Sequence, residues 1–93
     1  MKVTPDIVRY EFIGTEAAVA KSKHPSYIGI RGKVIDETKN TFTILHEGKR
    51  KTIIKEAAVF HFHFSDGTIV EIDGKLLVGR PEDRLKKCIR RLW

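Results

Sequence analysis

His61 and His63 stand two apart in the run Val59-Phe60-His61-Phe62-His63-Phe64, and alternation along a strand puts both imidazoles on one face. One metal ion is within reach of such a pair, but a zinc site needs four ligands, and no third or fourth is spaced for it. The reading adopted is therefore a polar outer face opposite three core phenylalanines, with no metal site. Cys88 falls among leucines at helical spacing and lacks the signature of a nucleophile, so it reads as packing. Asp36 and Glu37 form a carboxylate pair, yet they open the turn Asp36-Glu37-Thr38-Lys39-Asn40, where such side chains cap backbone. Glycine-rich phosphate loops, zinc-finger spacings and nucleophile elbows are all missing. No catalytic residue is assigned.

Binding chemistry is better represented. Arg31 and Lys33 project from one strand face, Lys49-Arg50-Lys51 crown a hairpin, Lys55 follows on the next strand, and Lys23 lies in a proline-marked loop. Flexible cations on a rigid sheet suit phosphate contacts, which fix position more than sequence. The formal net charge is +6, and it is unevenly placed: residues 1–27 carry +1, residues 28–73 carry 0 and residues 74–93 carry +5. A polyanion, nucleic acid first, is the expected partner. The competing explanation is a thermophile's charged surface, since the chain holds one Asn, one Met and no Gln.

The elements that must position these cations read as strands. Ile28, Ile30, Gly32 and Val34 share one parity and Gly29, Arg31 and Lys33 the other, giving a dry face and a wet, basic one. After the turn at 36–40, Thr41–Leu45 returns as a β-branched, aromatic strand. The glycines serve the sharp bend that a small barrel requires. Further strands fall at 15–21, 52–55, 59–64, 68–72 and 76–78, with turns at His46–Lys51, Ser65-Asp66-Gly67 and Asp73-Gly74. Many short strands in 93 residues predict one domain, a small antiparallel β-barrel over 15–78. Thr4-Pro5-Asp6 signals an N-terminal helix over 4–13, and Pro81-Glu82-Asp83 a basic C-terminal helix over 81–92. No apolar run nears the ~18 residues of a membrane span. Met1–Asp6 shows no signal-peptide core and the single cysteine suits a reducing compartment, so a cytoplasmic protein is expected.

Gly29-Ile-Arg-Gly32-Lys-Val34-Ile-Asp36-Glu37-Thr38-Lys-Asn40-Thr41, Lys55, Asp73-Gly74 and Arg80-Pro81-Glu82-Asp83-Arg84 together resemble the archaeal ribonuclease P protein component 1 family. The resemblance spans nearly the whole chain; Tyr10 stands where the family has His. It implies a mainly β, Sm-like/SH3-like antiparallel barrel flanked by terminal helices. It also implies an accessory subunit of an RNA enzyme that removes the 5′ leader from precursor tRNA, with Mg2+ used by the RNA and no cofactor on this chain. The implied partners are the ribonuclease P RNA, a small zinc-ribbon protein subunit and, through the holoenzyme, precursor tRNA; the isolated chain is expected to be a monomer. Candidate RNA contacts are Lys23, Arg31, Lys33, Lys39, Lys49, Arg50, Lys51, Lys55, Arg80 and Arg84. Candidate partner contacts are the apolar residues of the two helices: Ile7, Val8, Phe12, Leu85, Ile89 and Leu92. Two other classes compete. Gly32-x-Val34-x-Asp36-x-x-x-Asn40 resembles the first motif of ring-forming Sm-like RNA chaperones, though the second motif is missing near the chain end, and a small-barrel ribosomal protein is the third reading.

Overall fold

Alternating side chains fold residues 16–73 into one antiparallel sheet. The structure, a computed structural model, describes residues 3, 7, 10–79 and the backbone of 90–91. The strands are β1 (Glu16–Ser22), β2 (Arg31–Glu37), β3 (Thr41–His46), β4 (Lys49–Ile54), β5 (Ala58–His63), β6 (Ile69–Asp73) and the two-residue β7 (Arg90–Arg91). They lie in the order β4-β3-β2-β1-β5-β6-β7. In a flat sheet β3 and β5, three places apart, would be separated by roughly 14 Å. Yet the rings of Phe42 on β3 and Phe60 on β5 are 5.4 Å apart. The sheet therefore curls into a barrel around its apolar face.

Phe12, Phe42, Phe60 and Phe62 are all 0% exposed and fill that barrel with Val34, Ile44, Ile53, Val70, Ile72 and Leu77. Phe12 stacks on Phe62 at 4.0 Å and meets Phe42 edge-on, so the segment before β1 plugs the barrel. Burying each such ring is worth about 1.5–3 kcal/mol. Two bulges tighten the curl, one in β1 between Val19 and Lys21 and one in β2 between Val34 and Asp36. At Gly32, with φ 153°, a Cβ would lie 1.8 Å from the Leu45 carbonyl oxygen, so only glycine lets β2 and β3 approach there.

Several expectations change. Residues 10–13 are bend, coil and turn, so the helix expected over 4–13 does not extend through them, and 4–6, 8 and 9 lie outside the described residues. Across these four residues the burial of Phe12 in the barrel, at 0% exposed, takes the place of a helical turn. Arg90 and Arg91 pair with Glu71 and Val70 on the edge of β6, so the helix expected over 81–92 does not include them. An edge strand's unpaired backbone groups take up an extended segment in this way. Residues 81–89 and 92 lie outside the described residues. Tyr27–Gly29 is not strand: Pro25 starts a 3₁₀ turn over Pro25–Tyr27. Residues 76–78 are not strand either, because a 3₁₀ turn over Gly74–Leu77 drives Leu77 into the core. Finally, Lys49-Arg50-Lys51 belong to β4 rather than to a turn. The hairpin closes on Glu47-Gly48 alone, whose φ values of 50° and 79° are those of a tight two-residue loop.

Gly74 is the position where close approach is most severe after Gly32. A Cβ there would meet the Lys55 carbonyl oxygen at 1.8 Å and the Ala58 oxygen at 2.8 Å, both backbone atoms that cannot swing aside. Gly74→Ala should therefore destabilise the fold by at least ~2 kcal/mol, as overpacking does. Urea denaturation checks this; a midpoint equal to the parent's would show that the two 3₁₀ turns do not pack as described.

Candidate nucleic-acid interface

Turns and strand ends gather in two separate regions that serve as the ends of the curled sheet. One end gathers the starts of β1 and β2, the β3–β4 hairpin and the end of β5; the other gathers the β2–β3 turn, the exits of β1 and β4, and residues 74–79. The expected RNA contacts divide between them. Arg31, Lys33, Lys49, Arg50 and Lys51 are exposed at the hairpin end. Lys33 faces Leu45 across β2 and β3, and Leu45 faces Arg50 across β3 and β4, so Lys33 and Arg50 share the outer face. Lys49 and Lys51 have the opposite parity: they face His46 and Ile44, and project past the barrel on the edge strand. The cation triplet thus presents charge to both sides of one edge, which also guards that edge against pairing with another strand. Lys23 and Lys39 are exposed at the far end and belong to a separate patch. There Lys21, Lys23 and Lys75 line a cleft of ≈ 240 Å³ that also holds Glu56 and Asp73. Arg80 and Arg84 lie outside the described residues.

Lys55 does not face RNA. Its residue is 0% exposed, and Nζ donates to Glu37 Oε2 at 2.6 Å, to the Thr38 oxygen at 2.8 Å and to the Lys39 oxygen at 3.2 Å. The Gly79 oxygen is 3.5 Å away, and the Phe42 ring centroid 4.8 Å. The β2 bulge is what makes this possible. Simple alternation from Val34 would turn Glu37 outward, but the extra residue Ile35 shifts the register, so Glu37 faces the buried Phe42 and points inward. The pair cements the far end rather than offering a charge. Ile7 and Phe12 are likewise corrected: at 5% and 0% exposed they are core residues and present nothing to a partner. Val8, Leu85, Ile89 and Leu92 lie outside the described residues.

Other candidates are absorbed locally. Asp36 Oδ1 accepts from the Glu37 amide at 2.9 Å, and the Asn40 oxygen accepts from the Lys55 amide at 2.8 Å, so both serve the turn. His61 Nε2 lies 2.9 Å from Glu71 Oε1 on the neighbouring strand. Among the described residues no group of three His, Cys, Asp or Glu side chains is arranged to hold a metal. His46 went unnoticed in the sequence: its Nδ1 lies 3.2 Å from the Arg31 amide nitrogen and 3.0 Å from its oxygen, anchoring the start of β2 to the hairpin. No spacing rule links residues fifteen apart, so only the register could reveal it.

A small Sm-like antiparallel barrel with exposed cations at both ends and Lys55 sealed inside one of them has the architecture of a binding module. The chain belongs to the family described as ribonuclease P/MRP, subunit p29, whose model matches residues 5–87. It is 47% identical over 91 residues to the ribonuclease P protein component 1 of Methanothermobacter thermautotrophicus, covering 96% of this chain and 98% of the relative. It is likewise 47% identical over 93 residues to that of Methanocaldococcus jannaschii, covering 98% and 97%. A solved structure, described as Mth11, a homologue of human RNase P protein Rpp29, superposes with a TM-score of 0.60 at 47% identity over 82% of this chain and 99% of that one. These likenesses do not favour the ring chaperone or the ribosomal protein.

Removing one partner of the buried pair strands the other. Lys55→Met and Glu37→Met should each cost about 3–5 kcal/mol, and the double variant should cost much less than their sum. A double-mutant cycle by chemical denaturation measures this; strictly additive losses would show that the two side chains do not stabilise one another.

Proposed function

We propose that this chain is the RNA-binding accessory protein subunit of ribonuclease P, supporting removal of the 5′ leader from precursor tRNA by the enzyme's RNA. Family membership over residues 5–87 carries the reading. The basic outer sheet supplies its physical content. Arg31, Lys33 and Arg50, with Lys49 and Lys51 along the edge, neutralise phosphates and release their counterions, which fixes the protein's position on a folded RNA. In this reading the chain cuts nothing; the Mg2+ ions that cleavage needs belong to the RNA. A small zinc-ribbon subunit is the proposed protein partner, docking on the C-terminal segment with Leu85, Ile89 and Leu92, and the free chain is a monomer. No helix among the described residues is long and apolar enough to cross a membrane; we assign the protein to the cytoplasm, where precursor tRNA is processed.

Reconstitution tests the reading. Ribonuclease P RNA with the full chain and the zinc-ribbon subunit should cleave precursor tRNA at Mg2+ concentrations where the RNA alone is slow, and the chain purified free of RNA should not cleave it. No gain on adding the chain, or cleavage without RNA, would refute it. The interface has its own test in the salt dependence of RNA affinity. Changing Lys49, Arg50 and Lys51 to Ala should reduce the log–log slope by roughly 0.7–0.9 per lost phosphate contact. A triple variant with the parent's slope would move the RNA off this edge.

A further inference from the structure

Beside the basic edge, the outer face of the sheet sinks into a depression of ≈ 520 Å³. That is within the roughly 300–1,000 Å³ range of sites that hold small organic groups. Its floor is low because Ala18, on the outer face directly across from Arg31, carries only a methyl group where its neighbours carry long side chains. Gly32 has the inward parity of Ala17, so it lines the depression with backbone alone. Ala18 lies directly across from Arg31, on β1 and β2, His63 lies across from Glu16, on β5 and β1, and Leu45 is on β3, so the depression straddles four strands. Arg31, Leu45 and His63 form its walls: a planar guanidinium, an apolar side chain 41% exposed, and an imidazole. Glu16 and Glu47 complete the rim.

We infer that this depression holds a single unpaired guanine of the bound RNA. The inference rests on the RNA-binding reading above and names what that surface recognises beyond phosphate. Proteins read single-stranded RNA by splaying a base out, stacking it on histidine or arginine planes and hydrogen-bonding its Watson–Crick edge. The walls supply the planes. The two carboxylates repel phosphate and accept hydrogen bonds only, so they select a base edge rich in donors. Guanine offers adjacent N1–H and N2–H groups that one carboxylate can accept together; adenine and cytosine offer a single amino group and uracil a single N3–H. The cations Lys33 and Arg50 on the same face lie where the flanking phosphates of a splayed nucleotide would run. Phosphate positioning and base selection thereby sit side by side on one rigid surface.

The test uses the full chain and five RNA hairpins that differ only in one bulged position: G, A, C, U or an abasic site. Fluorescence anisotropy should give the guanine hairpin an affinity about tenfold above the abasic one, the size of one stacked base. Within the Ala18→Leu variant, whose larger side chain fills the floor, guanine and abasic hairpins should bind alike. Should that variant fail to fold, the near-isosteric Glu16→Gln and Glu47→Gln changes on the exposed rim remain, and they should narrow the preference for guanine over adenine. Equal, salt-dependent binding of all five hairpins by the parent chain, or a guanine preference that survives these variants, would overturn the pocket and leave the RNA interface standing. Binding without salt dependence would remove both.

Discussion

A lysine ammonium buried at 0% exposure is tolerable only if its surroundings replace water, and the far end of this barrel is built around that requirement. Lys55 Nζ is met by the Glu37 carboxylate, by carbonyl oxygens of Thr38, Lys39 and Gly79, and by the face of Phe42. These groups come from the β2–β3 turn, from β3 and from the segment after β6, none of which is adjacent to Lys55 in the chain. Satisfying one charge therefore pins three otherwise separate pieces of backbone. The Gly79 amide, bonded to the Lys39 oxygen at 2.8 Å, and the Lys55 amide, bonded to the Asn40 oxygen at 2.8 Å, extend the same junction. Gly74 lets the 3₁₀ turn after β6 lie directly on it.

The sealed end and the binding end depend on each other. A curled sheet with an open rim would expose Phe42 and Phe60 if either end slipped, and the ion pair lies directly over Phe42. With that end fixed, the hairpin end can present charge without rearranging. The φ > 0 turn at Glu47-Gly48 and the His46–Arg31 contact hold the strand starts there, so the cations project from a rigid scaffold. Such rigidity suits the proposed role, because phosphate contacts reward a fixed spacing of charge.

Much of this was legible in the chain. Parity alone located the apolar faces of β2 as far as Val34 and of β5, because the side-chain period of a strand is a local property. Turn chemistry at 36–40 and 65–67 marked hairpins, and the blocks around Gly32 and Arg80 carried the family resemblance. The charge excess pointed to a polyanion. Where local signals competed with packing they misled. Phe12, expected in a helix, instead plugs the barrel against Phe62 from an irregular segment, and the strand expected at 76–78 becomes a 3₁₀ turn that delivers Leu77 to the core.

Lys55 and Glu37 show where reading by residue type ends. Both are charged, both neighbour other charges, and composition places them on the surface with Lys33 and Lys51. Their pairing is set by a bulge at Ile35 that reverses the parity of everything after it, and by the curl that brings the end of β4 over the β2–β3 turn. Such long-range geometry leaves no trace in spacing, because contact across eighteen residues depends on how strands twist and not on which residues lie between. The same holds for the outer depression, whose members come from four strands and a turn. The sequence by itself determined a small basic barrel and its family; which cations lie exposed and which one holds the barrel shut was decided by tertiary structure, because burial is a property of the assembled sheet.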